Sequence, residues 1–219
     1  MTPFAEILNA AGGADAVSGR LPRAKTAQAL RSIPDDRYLS LMSLRVFRAG
    51  IKHAVVDAKW PAFEEVFHGF EPGAIRAMSD EALEALMADD RIIRHWGKIR
   101  ATRDNAAAMC ALAEEAGGMG AHLADWPADD VVGLWDDIAK RFKQMGGMSA
   151  PYFLRMAGRD TFILTGDVAR ALVRWGAIDA EPKGKRARVA VQDAFNAWAG
   201  ESGRPLAEIS MALALSVDG

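Results

Sequence analysis

Apolar residues along this chain recur three and four positions apart and almost nowhere alternate. Leu83, Leu86 and Met87 form one such set, Leu134, Ile138 and Phe142 a second, and Leu206, Ile209 and Leu213 a third. That period puts each set on one side of an α-helix, whereas a half-buried strand would alternate every second residue. The punctuation between the sets also belongs to helices. Ser79 followed by Asp80 and Glu81 is an N-cap with two acids in the first turn, where the helix dipole favours negative charge. Pro61 and Pro205 stand where a first helical position tolerates a missing N–H, and Gly176 after Trp175 reads as the glycine just past a helix end. The pattern predicts an all-α fold of about nine to eleven short helices. The first 33 residues, up to Ile33-Pro34 and containing Gly12-Gly13, read as a small-residue-rich lead-in. Ala180-Glu181-Pro182-Lys183-Gly184-Lys185-Arg186 reads as a polar loop between two helices. The chain carries no internal repeat.

Composition narrows the class. With 219 residues and 50% of them apolar, the chain can bury about 70% of its unfolded surface, enough for one sizeable core or two small lobes. No apolar run approaches the length of a membrane span, so no membrane partner is expected. The opening Met1-Thr2-Pro3-Phe4-Ala5-Glu6 lacks a basic stretch followed by an apolar one, so the expected location is cytoplasmic. One cysteine, Cys110, excludes an internal disulfide framework and reads as a small hydrophobe on a buried helix face. A net charge of −2 means that any nucleic acid must be held by local patches, not by a global basic field.

Four places could carry chemistry, and each also has a plain structural reading. Phe142-Lys143-Gln144-Met145-Gly146-Gly147-Met148-Ser149 lies between two amphipathic helices. Gly146 and Gly147 can supply positive φ and expose backbone N–H groups, which with Lys143 and the next helix start, at Ser149, would suit a phosphate. The same segment also reads as an ordinary helix–helix turn. Arg91 to Arg103 carries five basic residues (Arg91, Arg94, Lys98, Arg100 and Arg103), with His95 and Trp96 among them and no acid. That mixture fits a nucleic-acid backbone contact, or a solvated helix start. The Lys183–Arg188 patch reads as a solvated loop. Between Asp36 and Ala49 the helical wheel puts Tyr38, Leu41, Met42 and Ala49 on one face with Arg45 in its middle. An arginine there needs a core acid as partner or a wet cavity to line, because burying it alone is very costly. In Leu164-Thr165-Gly166-Asp167-Val168-Ala169-Arg170, either Thr165 or Asp167 caps the helix that follows.

Taken together, these pieces resemble the 3-methyladenine DNA glycosylase I family of the helix-hairpin-helix glycosylase superfamily. The likeness runs from about Leu41 to Ile99 and includes Ala49-Gly50-Ile51, Phe67-His68-Gly69-Phe70-Glu71-Pro72 and, most specifically, Ile92-Ile93-Arg94-His95-Trp96-Gly97-Lys98-Ile99. It resumes at Phe142-Lys143 and Met145-Gly146 and continues into Tyr152-Phe153, while Ile163–Arg170 is similar to the wider superfamily.

The resemblance implies a two-lobed, helix-hairpin-helix glycosylase-like domain over residues 1–219, with the hairpin near 142–150. Its partner would be double-stranded DNA containing a damaged base, flipped into a cleft and released by hydrolysis of its N-glycosidic bond in base excision repair. Expected roles are Ile51 as the wedge in the duplex, His53 and Trp60 as pocket aromatics, Arg45 as base reader and Asp167 as the acid near the sugar. Arg94, His95, Lys98, Lys143, Gly146, Gly147 and Ser149 would hold DNA. No cofactor is expected, and the chain is expected to act as a monomer. Three departures stand out. Relatives carry a glutamate at Arg45 and the superfamily an aspartate at Thr165. For the Cys/His zinc site that clips the ends of relatives, this chain offers only the mid-chain Cys110, so no metal is expected. The two missing acids also leave open a non-catalytic DNA-binding or damage-sensing protein that kept the fold.

Overall fold

The computed structural model describes residues 1–217, and among these every regular element is a helix. Fourteen α-helices follow one another: α1 (Phe4–Ala10), α2 (Ala14–Val17), α3 (Ala27–Arg31), α4 (Asp35–Arg48), α5 (His53–Val66), α6 (Pro72–Arg76), α7 (Asp80–Ala85), α8 (Trp96–Ala116), α9 (Met119–Asp125), α10 (Val131–Arg141), α11 (Ser149–Ala157), α12 (Gly166–Arg174), α13 (Gly184–Ser202) and α14 (Leu206–Leu215). The all-α reading holds. The number exceeds the expectation because α2, α3, α6 and α7 are only four to six residues long, too short to show a full apolar period.

Local chemistry explains most boundaries. Ser79 caps α7 by accepting from the Ala82 N–H, as its sequence predicts. Gly176, with φ of 67°, closes α12: its N–H donates to the Val173 carbonyl and the Ala177 N–H reaches back to Leu172, which together satisfy two orphan carbonyls. Two proline expectations shift. Pro205 is the residue before α14, whose first N–H groups at Leu206 and Ala207 are capped from a distance by Asp160. Pro61 lies inside α5 instead of starting a helix, because α5 already begins at His53. The expected polar loop is also shorter than its composition implies, since α13 starts at Gly184.

The chain divides into two compact units. The first comprises Met1–Lys25, Pro127–Leu134 and the chain from Gly158 on; the second comprises Thr26–Trp126 and Trp135–Ala157. The lead-in is thus split, and its first part is no mere appendage: Phe4, Ile7 and Val17 are fully buried. Phe162 and Phe195 stack at 4.1 Å in the core of the first unit, and the Trp198 indole N–H donates to the Thr2 carbonyl at 3.0 Å.

The second unit is built around α4, which packs against α5, α8, α9 and α11. Tyr38, Leu39, Met42, Val46 and Phe47 are buried along it. Each such side chain contributes about 1.5–3 kcal/mol of transfer free energy, so this helix is held by its packing more than by helix propensity. Below Phe47 an aromatic column of Trp60, Phe63, Phe67 and Phe70 stacks ring on ring; Trp60 and Phe70 lie 5.3 Å apart and only 9° from parallel. Asp137 ties the end of α10 to its neighbours by pairing with His122 at 2.9 Å and Arg141 at 3.0 Å.

Candidate functional site

The C-terminal end of α4, the turn after it and one face of α11 enclose a pocket of about 400 Å³ within the second unit. Arg45, Arg48 and Ala49 come from α4, Gly50 from the turn, His53 from the first position of α5, and Tyr152 and Met156 from α11. Arg45 sits on the Tyr152 ring, its guanidinium carbon 5.0 Å from the ring centre. That cation–π contact engages the charge of the guanidinium and leaves its N–H donors in need of other partners.

No described residue supplies those groups. The Arg45 Nε is shut off from solvent and has no hydrogen-bond partner, and no described carboxylate pairs with the guanidinium. The acids that could have served are engaged elsewhere. Asp57 pairs with Arg48 at 2.7 Å, and Glu64 pairs with Arg37 at 3.0 Å. Burial pushes the Arg45 pKa down, with the charge of Arg48 acting in the same direction and Tyr152 opposing. The pocket is cationic, and nothing in the unit neutralises its central charge.

Lys98 requires a correction. The sequence assigns it to DNA, yet it is 6% exposed, and its ammonium donates to the Ala49 carbonyl at 2.6 Å and the Phe47 carbonyl at 3.2 Å. A cation on the last carbonyls of α4 satisfies orphan acceptors and meets the negative end of the helix dipole. Burial lowers its pKa, and the charge of Arg45 lowers it further. Lys98 is a structural cap that adds to the positive field of the pocket. The rest of the basic segment shrinks as well. Arg91 pairs with Asp89 and Glu65, and Arg103 with Asp80, so Arg94 and Arg100 are its only exposed cations without an ion pair among the described residues. His95 is the N-cap of α8, its Nδ1 accepting from the Lys98 N–H at 3.4 Å, and Trp96 beside it is exposed.

The hairpin expectation meets a tight turn between α10 and α11. Gly147 takes a φ of 59°, but the other left-handed residue is Gln144, with φ of 61°, and not Gly146. Gln144 is held there by its own side chain, which donates to the Gly97 carbonyl at 2.9 Å. Buried Asn105 grips the neighbouring residue from both sides, accepting from the Lys143 N–H at 2.6 Å and donating to the Lys143 carbonyl at 3.2 Å. Lys143, Gly146 and Gly147 are exposed. Ser149 is 8% exposed, and its N–H donates to the Gly146 carbonyl.

The remaining expected residues scatter. Ile51 is half-buried in the turn after α4, next in sequence to the pocket wall. Trp60 does not line the Arg45 pocket; it belongs to the aromatic column, and its indole N–H donates to the Ser40 hydroxyl at 3.2 Å. Thr165 is the cap of α12, accepting from Val168 N–H at 3.3 Å, and Asp167 follows in the first turn, in the first unit. Sequence reasoning missed Tyr152, Arg48 and Asn105. Only Tyr152 left a signal, as a large aromatic on the exposed side of a helix whose other face is apolar.

A helical protein whose cationic, aromatic-floored pocket adjoins a braced backbone turn falls among the nucleic-acid-binding classes. The chain belongs to the methyladenine glycosylase family, whose sequence pattern matches residues 30–144, just over half of its length. DNA-3-methyladenine glycosylase 1 of Escherichia coli (strain K12) is 36% identical over 72 residues, a stretch covering 33% of this chain and 38% of that protein. The match thus spans well under half of that relative. A crystal structure of 3-methyladenine DNA glycosylase I is similar with a TM-score of 0.50 and 25% identity, over 60% of this chain and 83% of the other. The enzyme from Staphylococcus aureus, solved for the structural basis of its 3-methyladenine recognition, gives 0.51 and 21% over 57% and 76%. Among the described residues, no helix is long and apolar enough to cross a membrane.

Proposed function

We propose that this chain is a DNA N-glycosylase that binds double-stranded DNA as a cytoplasmic monomer and releases a modified purine. The observation that carries the reading is the Arg45–Tyr152 pocket. It stands where the family resemblance puts the base reader, and the helix bearing Tyr152 is the one that leaves the Asn105-braced turn. A pocket of this size with few, fixed polar groups suits a planar heterocycle. The exposed Lys143, Gly146, Gly147 and Arg94 are the groups offered to phosphates, and Ile51 is the wedge that fills the gap left by the extruded base. Release needs water attack at the sugar through an oxocarbenium-like state. Asp167 is assigned to that charge, and Asp167→Asn tests the assignment by a slower release at unchanged DNA affinity.

The reading is tested by incubating the protein with duplexes that carry methylated, deaminated or oxidised purines and analysing the released bases by mass spectrometry. A free modified purine and a matching abasic site are expected. Intact strands throughout would leave the second reading, a damage sensor that binds without cutting. Its support is specific: Thr165 serves only as a helix cap, Arg45 replaces an acid, and Asp167 is already paired with Arg170.

A further inference from the structure

Arg45 has three properties that together constrain its ligand. Its donors are unpaired, the buried Lys98 adds to its field while Arg48 is held by Asp57, and Tyr152 holds it through a cation–π contact. An N-alkylated purine is the wrong guest for such a group. 3-Methyladenine in DNA is a cation and presents an amino donor at position 6, so both its charge and its hydrogen-bonding edge face like with like. 7-Methylguanine in DNA is also a cation, and its methyl group blocks N7.

We propose that the pocket takes a neutral 6-oxopurine with O6 and N7 both free, the chemistry of deaminated purines such as hypoxanthine, in preference to cationic N-alkylpurines. This deepens the glycosylase reading above and rests on it. O6 and N7 are the acceptor pair that a guanidinium reads with two parallel N–H donors. Guanine offers the same pair, but it sits in a stable pair with cytosine. Hypoxanthine arising from adenine lies opposite thymine as a mispair and costs less to extrude.

The chemistry of departure points the same way. During hydrolysis the water oxygen bonds to C1′ while the C1′–N9 bond breaks and its electron pair leaves with the purine. From a neutral purine, one water proton ends on the released base; from a cationic purine it passes to solvent, and in both cases the other proton stays in the new C1′ hydroxyl. A cationic purine leaves neutral and gains nothing from a neighbouring positive charge. A neutral 6-oxopurine carries away negative charge that spreads onto N7 and O6, where the Arg45 donors would stabilise it most in the transition state. An arginine replacing the family's acid thus suits the harder leaving group.

The test uses the full chain and duplexes identical except at one position: hypoxanthine opposite thymine, 7-methylguanine opposite cytosine, or the unmodified pair. Binding is read by fluorescence anisotropy and release by mass spectrometry, with methylated duplex DNA supplying 3-methyladenine. Hypoxanthine is expected to be bound and released at least about tenfold better than either cationic base, and Arg45→Glu should reverse the order. Arg45→Gln, which keeps an N–H donor without the charge, should lose the preference and guards against a glutamate variant that does not fold. Release of the cationic bases ahead of hypoxanthine by the parent overturns the proposal while the glycosylase reading stands. If no duplex loses a base, that reading fails and binding alone decides. A hypoxanthine preference lost in Arg45→Gln upholds the pocket chemistry; equal binding of all duplexes overturns it and marks Arg45 as a phosphate contact.

Discussion

Two of the three arginines of α4, Arg37 and Arg45, lie about two turns apart, and their surroundings are opposite. Arg37 pairs with Glu64 and Asp36 and also donates to the Gly69 carbonyl, while Glu64 in turn accepts from Ser40 and Ser40 from Trp60. Glu64 chiefly raises its pKa. Arg45 has the Tyr152 ring and no acid, and burial lowers its pKa. Both belong to one helix in one unit, so the contrast is set by what faces them. The first arginine is engaged by the fold: each of its guanidinium nitrogens faces Glu64, Asp36 or the Gly69 carbonyl. The second is left incomplete, its Nε shut off from solvent without a partner, and a half-buried, unpaired cation marks a candidate ligand site. Two unit charges 4 Å apart interact by about 4 kcal/mol at an effective dielectric near 20, which is ample to choose between a cationic and a neutral base.

Four measurements sharpen or break that contrast. The largest effect should come from Arg45→Glu, expected to shift the ratio of hypoxanthine to 7-methylguanine release by about a hundredfold, the size of one or two well-placed charge-assisted hydrogen bonds. Next is Lys98→Met, which leaves the Phe47 and Ala49 carbonyls without their donor. Urea denaturation should show a loss of about 1–3 kcal/mol with no change in the salt dependence of DNA binding. Lys143→Ala should do the reverse, leaving stability intact and lowering the salt slope by about one; an unchanged slope removes the turn from the DNA interface. The smallest effect belongs to Arg37→Ala. Its side chain is 43% exposed, so about 0.5–1 kcal/mol of stability should go while lesion preference stays as in the parent. An altered preference there would erase the distinction between the two arginines.

Much of this was legible before any coordinates. Period and caps identify the helices, and the misfit of Arg45 on an apolar stripe marks the residue that the pocket is built around. Partnering was not legible. Lys98 and Arg94 look alike in a basic run, but Lys98 falls on the inward side of α8 and meets the carbonyl end of α4, whereas Arg94 precedes the helix and faces water. Trp60 reads from the resemblance as a pocket aromatic beside His53, but it lies among Phe63 and Phe70 instead. The turn at 142–148 was legible as a turn, but not that Asn105, far away in sequence, would hold Lys143 by both backbone groups. Such pairings depend on tertiary neighbours, and no local pattern carries them.

An unpaired Arg45 is the group that reads a neutral purine. The most direct test is the ratio of single-turnover release rates for hypoxanthine and 7-methylguanine from otherwise identical duplexes, measured for the parent and for Arg45→Glu. The expected ratio is above one for the parent and below one for the variant. A parent that releases 7-methylguanine faster, with a ratio that Arg45→Glu leaves in place, would contradict it.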